Sequence, residues 1–452
     1  MKTVMNKNIF RLYDIRGLVD EELTSEDVNI IGKAYGTYMR SMGYHTVTVG
    51  RDNRTSSYEF FIALSEGICS TGCNVINLGV VPTPLLYFSL FHLKADGGVM
   101  ITGSHNPPEY NGLKVCVDKS TIYGEEIQKL RKICEENDFH EGIGKVEEGD
   151  IITPYRELLL KKFEFKRKIK VVIDGGNGVA GTVVPALFRK LECDFIPLYC
   201  EPDSRYPNHH PDPTVPENLQ DLIKSVKENK ADAGIAFDGD VDRIGVVDDR
   251  GNIIWGDKLL LLYSREVLKR HPGASVIFEV KCSQTLYDDI EKNGGKPVMC
   301  AAGHSIIKGE MKKEKALLAG EMSGHMFFAD EYFGYDDAIY AACRFIQILS
   351  ESGKSVSQLL DDVPKTFSTP EIRVDCPDDE KFEVVKKIAA DLKKDFKTVD
   401  IDGVRIIHEH GWGLVRASNT QPVLVLRFEA DSRANLNYLK NTIEGKLKEY
   451  MR

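Results

Sequence analysis

The chain has 452 residues, too many for one hydrophobic core, and this length predicts about three or four domains. Its 59 Lys and Arg residues against 69 Asp and Glu residues give a net charge of −10, which disfavours a nucleic acid or an acidic membrane as partner. The ten cysteines stand singly without paired metal-binding spacing, so we expect reduced thiols and a cytoplasmic location. No signal peptide is expected. No membrane span is expected either, because the longest apolar stretch, near Val80 to Leu93, is interrupted by Pro82 and Pro84.

The first three quarters of the chain repeat one pattern of elements. Three times an apolar run enters a polar loop, at residues 45–52, 170–177 and 275–281. Three times a second apolar run follows and ends at a polar motif, near Ser104, Asp238 and Glu321. Helical periodicity fills the intervals, as over 25–42, 125–136 and 219–228. Each repeat therefore predicts helices packed on a mixed, largely parallel sheet, with its motif where ligands gather, at the carboxyl ends of strands.

The remaining segment has a different order of elements: a strand over 371–374, a helix over 381–394, several short strands through Glu429 and a helix over 433–450. This order predicts a small α+β module. The predicted fold class is α/β, with three similar α/β domains and mixed sheets plus a C-terminal α+β domain. The predicted domains are 1–150 with the Ser104 motif, 151–251 with the Asp238 motif, 252–366 with the Glu321 motif, and 367–452.

The first motif, TGSHNPP at 102–108, places one hydroxyl in a constrained loop. It follows the apolar run 97–101, which predicts a short buried strand. Gly103 lets backbone approach a charged group, and the two prolines prevent a helix from starting after Asn106. Ser104 is thereby a candidate nucleophile at a strand end, although a serine in such a turn is ordinarily only a turn residue.

The second motif, DGDVDR, follows an apolar run and begins at Asp238. Asp238, Asp240 and Asp242 suit Mg²⁺, which prefers a few carboxylates and leaves room for phosphate oxygens. An EF-hand loop would need glycine at its sixth position and glutamate at its twelfth, where this chain has Arg243 and Asp249. A solvated acidic turn compensated by Arg243 is the alternative.

Two further motifs carry groups suited to sugar phosphates. The segment GEMSGH at 320–325 alternates three polar side chains, and in extended backbone Glu321, Ser323 and His325 would point the same way, towards vicinal sugar hydroxyls. The segment RASNTQP at 416–422 combines one guanidinium with short hydrogen-bonding side chains between two strand-like runs, which makes a phosphate cradle. Each segment alone is also compatible with an ordinary loop.

Together, the four motifs resemble those of the α-D-phosphohexomutase superfamily in order and spacing, and the chain is most similar to its bifunctional phosphomannomutase/phosphoglucomutase branch. The resemblance extends from IFRLYDIRG at 9–17 to the C-terminal helix, so it covers essentially the whole chain. It implies four domains around a central cleft, with the fourth the most mobile, so that closure excludes water from a phosphorylated enzyme.

The same resemblance implies a reaction. Ser104 would give a phosphoryl group to the free hydroxyl of a hexose 1- or 6-phosphate, forming a bound 1,6-bisphosphate that turns over and returns its other phosphoryl group. Hexose 1,6-bisphosphate would prime the enzyme. Arg243 would neutralise charge, and Lys114 and His304 are candidates for proton transfer with the sugar hydroxyl.

The resemblance also assigns residues to binding. Mg²⁺ would be held by Ser104, through a phosphoserine oxygen, Asp238, Asp240 and Asp242. Glu321 and Ser323 would hold ring hydroxyls in either orientation of the sugar. A phosphate would be gripped by Arg416, Ser418, Asn419 and Thr420. Four further residues match positions that line the same cleft: Tyr13, Arg16, Lys281 and His325. His209 and His210 resemble a family loop, but no chemistry demands them, and we expect them to be structural.

The identity of the sugar stays open. Met322 and the turn after Arg416 resemble the mannose/glucose branch, whereas phosphoglucosamine mutases usually have glutamine in place of Met322 and a Ser-Gly-Thr turn, and such a mutase is the alternative enzyme. A catalytically silent sugar-phosphate binding protein would have lost the nucleophile or a metal ligand, and this chain has lost neither. A Mg²⁺ phosphatase with an aspartyl nucleophile would leave the loops of Ser104 and Arg416 without a role. We expect small sugar phosphates as partners, with no nucleic acid, membrane or obligate protein partner.

Overall fold

The computed structural model describes residues 5–418 and 422–451. These residues form two compact units, each of which gathers separate parts of the chain. The first unit contains the chain up to Leu259 together with Ser323–Leu359, and the second contains Leu260–Met322 and the chain from Leu360 onwards. The predicted third domain, 252–366, therefore contributes to both units.

The N-terminal part of the first unit is built on a seven-stranded mixed sheet. Its strands follow the order Ile15–Leu18, Tyr110–Val117, Gly97–Ile101, Thr46–Arg51, Asn74–Val80 and Val146–Glu148, with Ser120–Thr121 beside Tyr110–Val117. Thr46–Arg51 runs parallel to both of its neighbours, whereas Tyr110–Val117 runs antiparallel to Gly97–Ile101. Every residue of Gly97–Ile101 is buried, which confirms the strand that its apolar sequence predicts. This strand ends directly before the Ser104 motif.

A five-stranded sheet forms the next part of the first unit. Its strands follow the order Ile253–Ile254, Ile244–Val247, Ala233–Phe237, Lys170–Asp174 and Asp194–Leu198. Ala233–Phe237 is buried throughout and lies parallel to Lys170–Asp174 and antiparallel to Ile244–Val247. Because the strand ends at Phe237, the carboxylates from Asp238 onwards begin at its carboxyl end. The strand Met326–Phe328 also belongs to the first unit.

The second unit combines a parallel and an antiparallel arrangement. Ser275–Glu279 pairs in parallel with Lys296–Cys300 and with Leu318–Gly320. The C-terminal sheet has the order Phe367–Ser368, Val423–Ala430, Gly411–Ala417, Val404–His408 and Lys397–Val399, with Ile372–Asp375 also paired to Val423–Ala430. The pairs in this sheet are antiparallel, and the apolar faces of two helices cover it, as expected for an α+β module.

The α-helices span Ser25–Ser41, Ser57–Cys69, Thr83–His92, Glu125–Glu136, Ile152–Lys162, Val184–Lys190, Gln220–Asn229, Gly256–Arg270, Gln284–Lys292, His304–Glu314, Ala338–Ser352, Val356–Leu359, Lys381–Asp395 and Arg433–Tyr450. Short 3₁₀ turns span Lys7–Ile9, Val179–Thr182 and Pro216–Leu219. The predicted helices are confirmed to within one residue at each end. The first helix starts at a capping box, in which Thr24 and Asp27 satisfy each other's backbone amides. Within the described ranges no helix is long and apolar enough to cross a membrane.

Candidate active site

Ser104 lies in a tightly held loop of the first unit. Its backbone has φ 50°, in the left-handed region that residues with a side chain seldom adopt. Its amide donates to Thr102 Oγ1 at 2.8 Å, and its Oγ donates to Asp238 Oδ2 at 2.9 Å and lies 3.1 Å from His105 Nδ1. Backbone strain of this kind persists where surrounding contacts enforce it, commonly at functional sites.

The three predicted metal ligands converge beside this serine. Asp238, Asp240 and Asp242 are fully buried, and each offers an oxygen within 4.8 Å of the others. Oδ1 of Asp240 and Oδ1 of Asp242 accept no hydrogen bond, although burying an unsatisfied carboxylate oxygen is costly. Mg²⁺ prefers hard oxygen ligands, so a group of carboxylate oxygens of which two accept no hydrogen bond fits this ion. Val241, a β-branched residue between two of these ligands, has φ 66°, so this loop is also strained.

Lys114 supplies positive charge to the same cluster. Its buried ammonium donates to Asp240 Oδ2 at 2.6 Å and also to Asp242 Oδ2. Burial opposes ionisation of Lys114, but the facing carboxylates outweigh it and raise its pKa. Burial likewise opposes ionisation of Asp240, yet Lys114 and the hydroxyl of Thr83 lower its pKa. The pKa of Asp238 is raised instead, by burial and by the two neighbouring aspartates.

Arg243 and His325 form the other side of this cluster. Arg243 Nε donates to His325 Nε2 at 3.0 Å, and its amide donates to Asp238 Oδ1 at 3.1 Å. His325 Nδ1 faces Asp336 Oδ2 at 3.2 Å and Asp242 Oδ1 at 3.6 Å. The structure thus places His325, predicted among the sugar-binding residues, beside the predicted metal ligands. Asp336 had no sequence signal, since it follows no motif of the predicted site.

Arg16 also reaches the loop of Ser104. Its two terminal nitrogens donate to Asn106 Oδ1 and Asp14 Oδ2, both at 2.6 Å. Tyr13 lies in a bend just before the strand Ile15–Leu18 that carries Arg16. Both residues therefore belong to the same unit as the candidate nucleophile.

The predicted shared direction of Glu321, Ser323 and His325 is wrong, because this segment is not extended. Residues 322 and 323 form a turn, and Gly324 has φ 97°. A Cβ at Gly324 would lie 2.3 Å from the carbonyl oxygen of Ile244, so both the conformation and the space require glycine. Consecutive alternate side chains share a direction only in a strand. Glu321 belongs to the second unit, whereas Ser323 and His325 belong to the first.

In the second unit, Lys281 is surrounded by carboxylates. Its ammonium lies 3.1 Å from Glu371 Oε2 and 3.9 Å from Glu279 Oε1. Lys281 lowers the pKa of Glu371 to about 2, while burial raises the pKa of Glu279. The facing carboxylates outweigh burial and raise the pKa of Lys281, so it stays charged.

Arg416 lies in a regular strand, where it pairs with Val425. Its Nε donates to Asp402 Oδ2 at 2.8 Å, and the same oxygen accepts the amide of Ala302 at 3.1 Å. The next amide, of Gly303, donates to Glu321 Oε1 at 2.7 Å, directly before the helix that begins at His304. The second unit therefore brings Arg416, Glu321 and His304 onto neighbouring segments. Asp402 was not predicted, because it lies in a bend without any motif.

The other residues that the sequence singled out follow Arg416 in the chain or lie in the loop of His209 and His210. Ser418 is buried, and its amide donates to Val423 O at 2.9 Å, closing the hairpin. Asn419 and Thr420 lie outside the described residues. His209 pairs with Asp174 at 2.9 Å, a structural contact, whereas His210 Nε2 bonds the carbonyl oxygen of His105 and so touches the loop of Ser104.

Four family models match the chain in order. They are described as phosphoglucomutase/phosphomannomutase alpha/beta/alpha domains I, II and III and the C-terminal domain, and they match residues 7–141, 153–251, 255–367 and 371–446. The chain belongs to the phosphoglucomutase/phosphomannomutase family. The predicted superfamily and fold class are thereby confirmed, while the individual domain boundaries and site residues stay predictions.

Individual relatives agree with this membership. A phosphomannomutase/phosphoglucomutase of Pseudomonas aeruginosa is 48% identical over 442 residues, which cover 98% of this chain and 96% of that protein. A phosphoglucomutase of Neisseria gonorrhoeae is 44% identical, covering 98% of this chain and 97% of that protein. A crystal structure of a phosphoglucomutase/phosphomannomutase family protein from Burkholderia thailandensis has a TM-score of 0.94 at 40% identity, covering 99% and 98% of the two chains.

Proposed function

We propose that the chain interconverts hexose 1-phosphates and hexose 6-phosphates of mannose and/or glucose, through a phosphoserine at position 104 and a bound 1,6-bisphosphate. The observation that carries this proposal is the contact between Ser104 Oγ and Asp238 within a buried group of three carboxylates. Relatives with this whole architecture are named phosphomannomutase/phosphoglucomutase, which supports an isomerase of the phosphotransferase type.

The proposed step moves one phosphoryl group. A sugar hydroxyl attacks the phosphorus on Ser104, a bond from phosphorus to the sugar oxygen forms, and the bond from phosphorus to Oγ breaks. The hydroxyl proton passes to a base, and Oγ takes a proton in return. After the bisphosphate has turned over, the same step in reverse transfers its other phosphoryl group to Ser104. Such transfers depend mainly on positioning and on neutralising charge.

The side chains of the first unit suit this step. Mg²⁺, held by the three aspartates and an oxygen of the phosphoserine, would stabilise the charge that develops on the transferring group. Lys114 and Arg243 neutralise the same charge from the protein. Because its raised pKa keeps Lys114 protonated, Lys114 cannot accept the hydroxyl proton, and His304 is the better candidate for the base. Neutral His105 can accept a hydrogen bond from the unphosphorylated serine, because burial and nearby arginines lower its pKa.

The remaining assignments concern recognition. Glu321 and Ser323 are proposed to hold ring hydroxyls, and Arg416, with Ser418, Asn419 and Thr420, to hold the phosphate that is not reacting. Hexose 1,6-bisphosphate is proposed as the priming activator, because it can phosphorylate Ser104 and leave a substrate behind. No disulfide joins any cysteine in the described ranges, which supports the proposed cytoplasmic location.

The test is an assay of the purified protein with mannose 1-phosphate, glucose 1-phosphate and glucosamine 1-phosphate side by side, with Mg²⁺ and a trace of hexose 1,6-bisphosphate. We expect formation of mannose 6-phosphate and glucose 6-phosphate at rates well above that of the glucosamine compound. A preference for glucosamine 1-phosphate would replace the proposed substrate with the alternative one. Release of inorganic phosphate without any 6-phosphate would contradict the mutase reaction itself.

A further inference from the structure

Arg54 is buried, and its guanidinium donates hydrogen bonds to backbone carbonyl groups around Ser104. Its Nη2 donates to the carbonyl oxygens of Ser104 at 2.9 Å and Asn106 at 2.6 Å. Its Nη1 donates to those of Tyr110 at 2.8 Å and Pro107. The side chain has no exposed surface, so these carbonyl groups take the place of water around the charge. We call residues 102–110 the Ser104 loop.

Asp52 fixes this guanidinium to the start of the loop. Asp52 Oδ2 accepts Arg54 Nε and the amide of Gly103, both at 3.1 Å, while Oδ1 accepts the hydroxyl of Ser57 and the amide of Arg54. A Cβ at Gly103 would lie 2.4 Å from Arg54 Cζ. The glycine before the nucleophile is therefore required by the close passage of Arg54.

His210, which lies on another segment, contacts His105, the residue of the loop between Ser104 and Asn106. Its Nε2 bonds the carbonyl oxygen of His105, so the carbonyl groups of residues 104 to 107 all face side-chain donors. The loop that begins at Asp238 also lies close to this segment, since a Cβ at Gly239 would lie 2.5 Å from the carbonyl oxygen of Ser104. Together these contacts enforce the left-handed backbone of Ser104.

We propose that Arg54, assisted by His210, is a positioning residue for phosphoryl transfer, an inference that rests on the proposed function of Ser104. The two side chains fix the backbone of the Ser104 loop and thereby set the position of Oγ relative to Asp238. Arginine is required, since its planar fork of five donors reaches four carbonyl groups and one carboxylate at once, whereas the ammonium of lysine offers three donors from a single point.

The test compares Arg54→Lys with Arg344→Lys. Arg344 is about equally buried in the first unit, where it pairs with Asp330 at 3.0 Å and lies over the ring of Phe328. For Arg54→Lys we expect kcat to fall about a hundredfold with KM within about twofold of wild type, since a misplaced nucleophile loses rate without losing substrate contacts. Arg344→Lys is expected to lower Tm while keeping kcat.

A second readout isolates one transfer. Unphosphorylated protein is mixed with glucose 1,6-bisphosphate, and the gain of one phosphate on Ser104 is followed by intact mass. In this step the bond from phosphorus to Oγ forms, the bond from phosphorus to a sugar oxygen breaks, and the serine proton ends on the departing sugar oxygen. The rate for Arg54→Lys should fall by the same factor as kcat.

Each outcome decides the proposal. Unchanged kcat in Arg54→Lys, or an equal loss of kcat in Arg344→Lys at equal loss of Tm, overturns it. If Arg54→Lys yields no folded protein, His210→Phe decides, with about a tenfold fall in kcat at constant KM in favour and no change against. A wild-type protein that never carries phosphate on Ser104 refutes the proposed function instead, so the two failures are distinguishable.

Discussion

Three carboxylates of the first unit crowd together with one ammonium, that of Lys114, whereas two carboxylates of the second unit each pair with a different cation. Asp238, Asp240 and Asp242 each offer a carboxylate oxygen within 4.8 Å of the others. In the second unit, Glu371 pairs with Lys281 at 3.1 Å and Asp402 with Arg416 at 2.8 Å. Crowded carboxylates repel unless a cation joins them, and paired ones do not. The first arrangement suits a metal and the chemistry of phosphoryl transfer, and the second suits recognition.

The backbone is strained around the crowded carboxylates of the first unit and regular around the paired carboxylates of the second unit. Ser104 and Val241 occupy left-handed conformations in irregular loops. Arg416 instead belongs to a strand with unbroken antiparallel register, and Lys281 lies two residues after the strand Ser275–Glu279. Strained loops fix reacting groups in positions that regular strands do not provide, and this contrast gives different expected costs for substitutions in the two regions.

The largest effect is expected for Ser104→Ala. It should lower kcat by about a thousandfold or more, because the covalent step itself is removed, while binding of glucose 6-phosphate by calorimetry stays measurable. Ser65→Ala is the matched control, since Ser65 is buried in a helix and its hydroxyl makes no hydrogen bond. A loss of less than about tenfold in Ser104→Ala would remove the serine from the mechanism.

Substitutions of Asp238 and Asp240 separate the effect of losing a charge on metal-free stability from the effect of losing a metal ligand. Asp238→Asn replaces a carboxyl group whose pKa is raised, so metal-free stability should change by less than about 1 kcal/mol. Asp240→Asn removes a charged partner of Lys114 and should cost about 2 kcal/mol without metal. Both variants should lower kcat about a hundredfold. Mg²⁺ at 100 times its Kd stabilises a protein that binds it by about 2.7 kcal/mol, and both variants should show a smaller stabilisation than this. Thermal melts with and without Mg²⁺ measure these differences, and equal metal-free melting of the two variants would contradict the opposite pKa shifts of Asp238 and Asp240.

A smaller effect is expected for the recognition residues. Arg416→Ala should raise KM about thirtyfold, or about 2 kcal/mol, for both mannose 1-phosphate and glucose 1-phosphate, because a charged hydrogen bond to phosphate is lost. Asp402→Asn, which only loosens the orientation of Arg416, should raise KM about fivefold. Glu321→Ala should instead change the ratio of the two sugars, because Glu321 can accept only from hydroxyls. If Arg416→Ala shifted that ratio as much as Glu321→Ala, recognition would not be divided in this way.

The smallest effect on catalysis is expected for Glu371→Gln, which tests the paired charges through stability. In the folded protein the pKa of Glu371 is about 2, below its ordinary value, so its ion pair stabilises above about pH 4.5 and this contribution is lost as pH falls towards 2. The variant should be about 2 kcal/mol less stable at pH 7, with the difference shrinking below about pH 4. Glu383→Gln, in an exposed pair with Lys386, is the control and should change little. A difference that stays constant down to pH 3 would contradict the pairing.

The parts of the fold that the sequence predicts correctly are those with local signals. The run 97–101 is apolar at every position and forms a fully buried strand, and the helix Glu125–Glu136 has the bounds that its periodicity predicts. The segment 321–325 shows the limit of such reasoning. Its alternation favours a strand, but Gly324 permits a turn, and whether a glycine is used in this way depends on distant backbone.

The residues that were missed make contacts over long sequence separations. Arg54 bonds carbonyl groups 50 to 56 positions away, and Asp402 bonds an amide 100 positions away. A hydrogen bond from a side chain to distant backbone leaves no period or motif, because any residue supplies the carbonyl group or the amide. Ser104 and the three aspartates could be proposed from the sequence because a hydroxyl and a group of carboxylates are residue types that suit the proposed chemistry.

The most direct test of the account follows the phosphate on Ser104 through a single turnover. Phosphorylated protein is mixed with one equivalent of glucose 1-phosphate in a rapid-quench instrument, and intact mass and sugar phosphates are measured together. The account predicts that the protein loses one phosphate as glucose 1,6-bisphosphate forms, and regains one as glucose 6-phosphate forms, at rates no slower than kcat. Glucose 6-phosphate formed while the original phosphate stays on Ser104 would contradict it.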